Sequence, residues 1–292
     1  MKPRIHYPAA ILALSLLLGA SLSAFQKTHR EITKSKEKEL NVVVDVSFGS
    51  LYLQKVERNQ KDKVAVVDYE YRNEDSDKLQ INYDLSGETG KLRIKQKRMS
   101  RWSSDDDDDL DSHKTRRLTI YLTADIPISF DLELGAGKGD IDLSSLQVSD
   151  LKISTGASSV DLRCDDPNPI SAESVEIESG VSKFSAFNLN NINFRKMKFD
   201  GGVGSYKLDF GGKLQQNASV SIEVGLGAIS VVIPKETQTK VLYEDGWFSS
   251  FDVDRNFTKQ RSGVYLSDDG DKGRLLTMKI ESGLGSVKVK QK

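Results

Sequence analysis

The sequence predicts an all-β chain. It reads as a β-solenoid-like stack of rungs about 22 residues long, with an antiparallel hairpin insertion near its start and an aromatic cap near its end. Three observations predict this. Apolar and polar residues alternate at period two, the mark of strands with one buried face. The alternation shifts parity at a glycine, where a residue without a Cβ lets a strand turn a corner and still face the core. The same glycine template then recurs about seven times along the chain.

In chain order, the first segment is an address. Lys2 and Arg4 precede an apolar run from Ala9 to Leu22, followed by Ser21, Ser23 and Ala24. This is the pattern of a secretory signal, expected over residues 1–24 with cleavage near Ala24. The uncharged stretch from Tyr7 to Gln26 also has the length of a membrane anchor. No Cys follows the run, so no lipoprotein anchor is expected. Residues 25–39 are mostly polar and charged and read as a linker; residues 40–292 read as one domain.

The first template copy is Val44-Asp-Val46-Ser47-Phe48-Gly49, leading to Leu51 and Leu53. A hairpin insertion over about 60–125 follows, with alternating runs at Val67–Tyr71, Leu79–Tyr83, Leu92–Ile94 and Leu118–Leu122. The central copies then centre on Gly135 and Gly137, Gly156, Gly180, Gly202 and Gly204, and Gly225 and Gly227. From Gly135 to Gly225 the steps are 21, 24, 22 and 23 residues. Periods of this size mark stacked repeats. A loop-rich segment over about 235–277 carries Trp247, Phe248, Phe251, Phe257 and Tyr265. It is expected to cap the stack, because an open rung exposes strand edges. The last copy centres on Gly283 and Gly285.

Composition bounds the function. The 292 residues carry a formal net charge of −1, against a general nucleic-acid binder. One Cys excludes a disulfide framework and a Cys-based zinc site, and three His leave little for a His-based metal site. Cys164 falls at an inward strand position and reads as a buried small hydrophobe. Gly135-Ala-Gly137-Lys138-Gly139-Asp140 lacks the Ser or Thr and the helix of a phosphate loop. The Asp run is the loudest charged feature. Calcium ligation by Asp105, Asp107 and Asp109 is one reading, but consecutive side chains on an extended chain point to opposite faces. A solvated loop tip beside the basic face of Lys91, Arg93, Lys95 and Lys97 is the other. No nucleophile elbow or zinc-protease motif is present. Asp140, Asp142, Asp161 and Asp209 take outward strand positions, and Asp142 with Asp161 is the pair to examine for glycan chemistry. Trp247, Phe248, Phe251 and Tyr265 form a candidate interaction surface.

These residues resemble a family. The segment Leu118–Pro127 followed by the Gly135 template is similar to the "toastrack" or adhesin-like domains of exported bacterial proteins. Ile233-Pro234, Gly246-Trp247-Phe248, Gly263-Val264-Tyr265 and the closing strand from Gly283 to Val287 resemble the C-terminal domain of LiaF-like cell-wall-active-antibiotic response proteins. The resemblance implies a single-stranded, right-handed β-solenoid-like stack and a non-enzymatic role in surface recognition or envelope signalling. The chain departs from the LiaF-like pattern in lacking the membrane helices that precede the domain there.

The expected function is an exported, non-catalytic recognition scaffold, periplasmic or at the cell surface, without a cofactor. Its expected partner is an envelope protein or surface ligand, with no nucleic acid; oligomeric state stays open. The alternatives are a β-helix polysaccharide-active enzyme and a calcium-dependent adhesin using the Asp-rich loop.

Overall fold

A computed structural model of the protein describes residues 25–72, 79–96, 116–244 and 248–292. The segment expected as a signal, residues 1–24, lies outside them, as do Asp105, Asp107, Asp109 and Trp247. The described residues form sixteen strands in one open sheet, with short 3-10 turns at Arg58–Gln60 and Leu189–Ile192. The first strands are β1 (Phe25–Thr33), β2 (Glu39–Lys55), β3 (Lys63–Arg72), β4 (Leu79–Ser86), β5 (Thr89–Gln96) and β6 (Arg117–Leu122). The central ones are β7 (Pro127–Asp142), β8 (Gln147–Arg163), β9 (Ala172–Phe187), β10 (Phe194–Asp209) and β11 (Ala218–Ile233). The last are β12 (Thr239–Glu244), β13 (Phe248–Val253), β14 (Phe257–Arg261), β15 (Val264–Ser267) and β16 (Leu276–Gln291). Among the described residues, no helix is long and apolar enough to cross a membrane.

Each template copy is one long strand that bends at its glycines. In β7, Ile128, Phe130, Leu132 and Leu134 are buried before the corner, and Ile141 after it. The inward set passes from even to odd positions at Gly135–Gly137, so both halves face one core. Phe199 and Tyr206 sit on opposite halves of β10, yet their rings meet edge-to-face at 5.2 Å; Phe184 of β9 meets Phe199 at 5.8 Å. The core therefore lies between the two arms of each bent strand.

The bent strands pair in parallel in the order β2, β7, β8, β9, β10, β11, β16. Register sets corner against corner: Gly137 opposes Gly49 and Ser158, and Gly227 opposes Gly204 and Gly285. Gly49, Gly137, Gly227 and Gly285 take φ between +129° and +142°. A Cβ there would also enter the shell of the carbonyl oxygen on the preceding rung. The corner is thus where backbones approach too closely for a side chain. β16 pairs directly with β11, so the segment between them loops out to the end of the stack.

At each end, two short strands take the place of one bent strand. β5 pairs with Glu39–Asp45 and β6 with Ser50–Lys55 of β2. β12 pairs with the first arm of β16 and β13 with the second. Antiparallel partners complete both ends: β4 on β5, β3 on β6 and β1 on β3, and β15 on β12 with β14 on β15.

Residues 25–33 correct the sequence reading, which placed a polar linker over residues 25–39. They form β1, an edge strand of nine residues along β3. The alternation that marks a strand is missing because residues 26–31 are exposed, leaving Ile32 as the buried anchor. Backbone pairing and polar contacts hold β1 instead: Tyr71 donates to Gln26 at 2.7 Å, and His29 Nδ1 meets Asp68 Oδ1 at 2.6 Å. The hydrogen bond to Asp68 raises the His29 pKa above its ordinary 6.5, with Glu31 adding to it. A raised folded pKa means this stabilisation is present below 6.5 and lost as pH climbs through the folded value. We expect an NMR titration to give His29 a midpoint above 6.5, falling in Asp68→Asn. An unchanged midpoint would show that the contact does not form.

Candidate binding surface

Around each corner the template fixes a sequence of side-chain directions. In β11 it reads Glu223 outward, Val224 inward, Gly225, Leu226 outward, Gly227. Parallel in-register pairing stacks like positions on one another, so each becomes a column, with about 4.8 Å between rungs.

The column just before the corner is acidic. Asp45, Glu133, Ser154, Glu178, Asp200, Glu223, Glu281 and Glu244 follow one another in register, and Lys95 ends the column beyond Asp45. Stacked like charges repel, and lysines offset only some of this. Lys95 pairs with Asp45 at 3.0 Å and Lys198 with Asp200 at 2.7 Å; Lys279 bridges Glu244, at 3.0 Å, and Glu281. Hydrogen bonding to Glu281 and Glu244 pushes the Lys279 pKa up to about 12, and Lys279 holds Glu281 below the usual carboxylate range. Both stay charged at neutral pH. Glu133, Glu178 and Glu223 have no ion pair among the described residues. The column two residues earlier is balanced, running Asp131, Lys152, Glu176, Lys198.

Between the acidic column and the corner runs a glycine column: Gly135, Gly156, Gly180, Gly202, Gly225 and Gly283. A Cβ on Gly225 would stand 2.9 Å from the Gly202 carbonyl oxygen, and one on Gly283 2.6 Å from that of Gly225. With no side chains there, the surface drops to backbone. One groove of about 570 Å³ is lined by Asp200, Glu223, Glu244, Glu281 and the backbone of Gly202, Gly225 and Gly283. A second, of about 560 Å³, continues along Glu133, Ser154, Glu178 and Asp200 over Gly135, Gly156 and Gly180.

The next column is apolar and faces water. It runs Phe48, Ala136, Ala157, Val181, Val203, Leu226, Leu284 and Phe248. Val181 is 66% exposed, Leu284 50% and Phe248 76%. Together with Val203 and Leu226, these are the large exposed apolar side chains among the described residues, and all five fall in this column. Exposed leucines scattered singly need no explanation, whereas a contiguous ladder is a candidate interaction surface.

The other candidates are placed as follows. The corner glycines expected from sequence occupy two columns: Gly135, Gly156, Gly180, Gly202, Gly225 and Gly283 in one, and Gly49, Gly137, Gly204, Gly227 and Gly285 in the other. The aromatic set divides. Phe251 stacks on Tyr243 at 4.0 Å and approaches Tyr265 at 5.3 Å, while Phe248 joins the exposed ladder. Asp142 and Asp161 do not face each other: register sets Asp161 against Asp140 and Asp142 against Arg163. Arg163 binds both Asp140 and Asp142, the latter at 3.3 Å. Burial pushes the Asp142 carboxyl up, but hydrogen bonds from Ser144 and Arg163 outweigh it and hold the group below its ordinary range. That is opposite to what a protonated glycosidase acid needs. Asp209, expected outward, is instead buried, and Lys292 binds it at 2.6 Å further along the stack. Among the described residues, no three acidic, His or Cys side chains are grouped to hold a metal.

Cys164 is fully buried and donates to the Asp166 carbonyl at 3.3 Å. Burial pushes its pKa up to about 12, so almost no thiolate exists near neutrality. We expect no reaction of the folded protein with Ellman's reagent at pH 8, and one full equivalent after unfolding. Rapid labelling of the folded chain would place the thiol at the surface.

The acidic and apolar columns escaped sequence reading, although a signal was present. Six of seven copies carry Asp or Glu two residues before the first corner position: Asp45, Glu133, Glu178, Asp200, Glu223 and Glu281.

The family model for the N-terminal domain of toast_rack, DUF2154, matches residues 22–185 and, again, 169–232. Among solved structures, a candidate cell adhesion protein from Clostridium sporogenes aligns with 92% of this chain and 100% of its own, at 20% identity and TM-score 0.49. A candidate adhesin from Bacteroides fragilis aligns with 91% of this chain and 97% of its own, at 14% identity and TM-score 0.35. No curated protein matches. With the family model spanning most of the bent-strand stack, the chain belongs to the toast-rack family.

Proposed function

We propose that the chain is an exported, non-catalytic recognition domain of the bacterial cell envelope that binds an envelope protein or surface ligand along the corners of its stack. The observation that carries this reading is the confinement of exposed Val181, Val203, Leu226, Leu284 and Phe248 to one column. Export follows from the leader over residues 1–24, with cleavage near Ala24. The repeating unit is a rung of about 22 residues. The segment with Tyr243, Phe251 and Tyr265 serves as the cap that shields the edge of β16. A scaffold role, in adhesion or envelope stress, is supported by Asp142, whose carboxyl is kept ionised by Ser144 and Arg163 rather than protonated as a glycosidase acid would be.

The test is binding of labelled domain to envelope fractions. The triple variant Val203→Ser/Leu226→Ser/Leu284→Ser trims half-exposed side chains and leaves the core untouched, so it should stay folded by circular dichroism. We expect its envelope binding to fall about tenfold or more, about 1.4 kcal/mol. Undiminished binding would overturn the assignment of this surface.

A further inference from the structure

We infer that the partner presents a cationic amphipathic polypeptide segment, its basic side chains set against the carboxylate column and its apolar side chains covering the ladder. This rests on the reading of the corner as the recognition surface and adds the chemistry of what binds there.

Glu223 and Leu226 are three residues apart with Gly225 between them, and the register repeats that spacing on the neighbouring rungs. Two stripes of different chemistry therefore run side by side, separated by a floor of backbone. The acidic stripe holds seven carboxylates, and its ion-paired lysines are Lys95, Lys198 and Lys279. Seven carboxylates face three lysines, so the stripe stays net negative, although Lys198 also feels the charges of Glu178 and Glu223. On the other side of the ladder the column is Ser50, Lys138, Ser159, Lys183, Ser205, Ala228 and Ser286, so the acidic bank lies on one side only. A ligand is thereby oriented as well as held.

An apolar ladder alone would suit a lipid surface. The adjoining carboxylates decide against an anionic bilayer or a nucleic acid, both of which they repel. From Glu133 to Glu244 the column takes six rung steps, about 29 Å, which an extended segment of about nine residues spans. Because the carboxylates are exposed or half-buried, salt should weaken the attraction.

The probes are dye-labelled ten-residue peptides of alternating Lys and Leu, Glu and Leu, or Lys and Ser, measured by fluorescence anisotropy with the folded protein. The Lys–Leu peptide should bind, the Lys–Ser peptide at least tenfold more weakly, and the Glu–Leu peptide not at all. Raising salt from about 0.05 M to about 0.5 M should weaken Lys–Leu binding about tenfold or more. Two triple variants, each shown to be folded by circular dichroism, should each cost about tenfold in binding: Glu133→Gln/Glu178→Gln/Glu223→Gln, and Val203→Ser/Leu226→Ser/Leu284→Ser. Equal binding of the Lys–Leu and Glu–Leu peptides, or Lys–Leu binding insensitive to either triple variant, overturns the inference. So does ladder-dependent sedimentation with anionic phospholipid vesicles in place of peptide binding. If the peptides fail while the serine variant still loses envelope binding, the cationic partner falls and the recognition surface stands. If the serine variant keeps envelope binding, the surface itself falls.

Discussion

Replacing Gly227 by alanine is expected to cost about 2–6 kcal/mol, much of the stability of a typical domain. Two effects combine. Gly227 holds φ +142°, a region that L side chains rarely enter. The new methyl would also meet the Gly204 carbonyl oxygen, while Gly285 stacks as closely on Gly227 from the other side. A shift of one rung therefore disturbs two neighbours. At the same register, Ser158 and Ser182 keep φ outside the left-handed region, so the demand for glycine varies between copies. The control is Gly87→Ala in the β4–β5 turn, where φ is +63° and nothing lies within 4 Å of the added carbon. Its cost is about 1–2 kcal/mol. Urea unfolding followed by circular dichroism compares the two. Equal losses would mean that the corner has room for a side chain.

Asn191→Ala should cost about 2–4 kcal/mol, most of it from the buried Cys164 carbonyl. Asn191 is 4% exposed and its side-chain amide ties three rungs. It donates to the carbonyls of Cys164, at 3.0 Å, and Asp165, at 2.9 Å, and accepts from the backbone of Lys213 at 3.2 Å. Truncation strands those groups at the turns where the arms return, away from the glycine corners. Asn168 makes equivalent ties in the preceding rung, donating to Val148 at 2.7 Å and Ile192 at 2.9 Å. Asn217 supplies the contrast: it is exposed, and its side-chain oxygen accepts from the Leu275 amide at 2.8 Å. Asn217→Ala should cost about 1 kcal/mol. If Asn191→Ala costs no more than that, water must reach the stranded groups.

The bent strands were legible because they obey a strict rule. Period-two alternation with a parity change at glycine allows few structures, and Leu132–Ile141 or Ile222–Val231 can be read almost position by position. β1 was hidden because its sequence is polar on both faces, and its pairing comes from backbone and from contacts such as His29 with Asp68. Asn191 looked like an ordinary loop residue, since its partners are 26 and 27 residues earlier and 22 later and are chosen only once rungs stack. The two columns of the candidate surface were hidden for the same reason. Each copy shows one acid and one apolar residue beside a glycine, but columns exist only after register is fixed. The pairing of Asp142 with Asp161 failed on register too, since Asp142 lies opposite Arg163.

The central claim is that one column, at the corner, does the recognising. A photocrosslinking side chain placed in turn at Val181, Val203, Leu226 and Leu284 tests it in intact cells, with Lys196 and Lys288, exposed on the two arms, as controls. The same adduct is expected from all four ladder positions and none from the two lysine positions. Adducts of equal yield from Lys196 or Lys288, or none from the ladder, would contradict it.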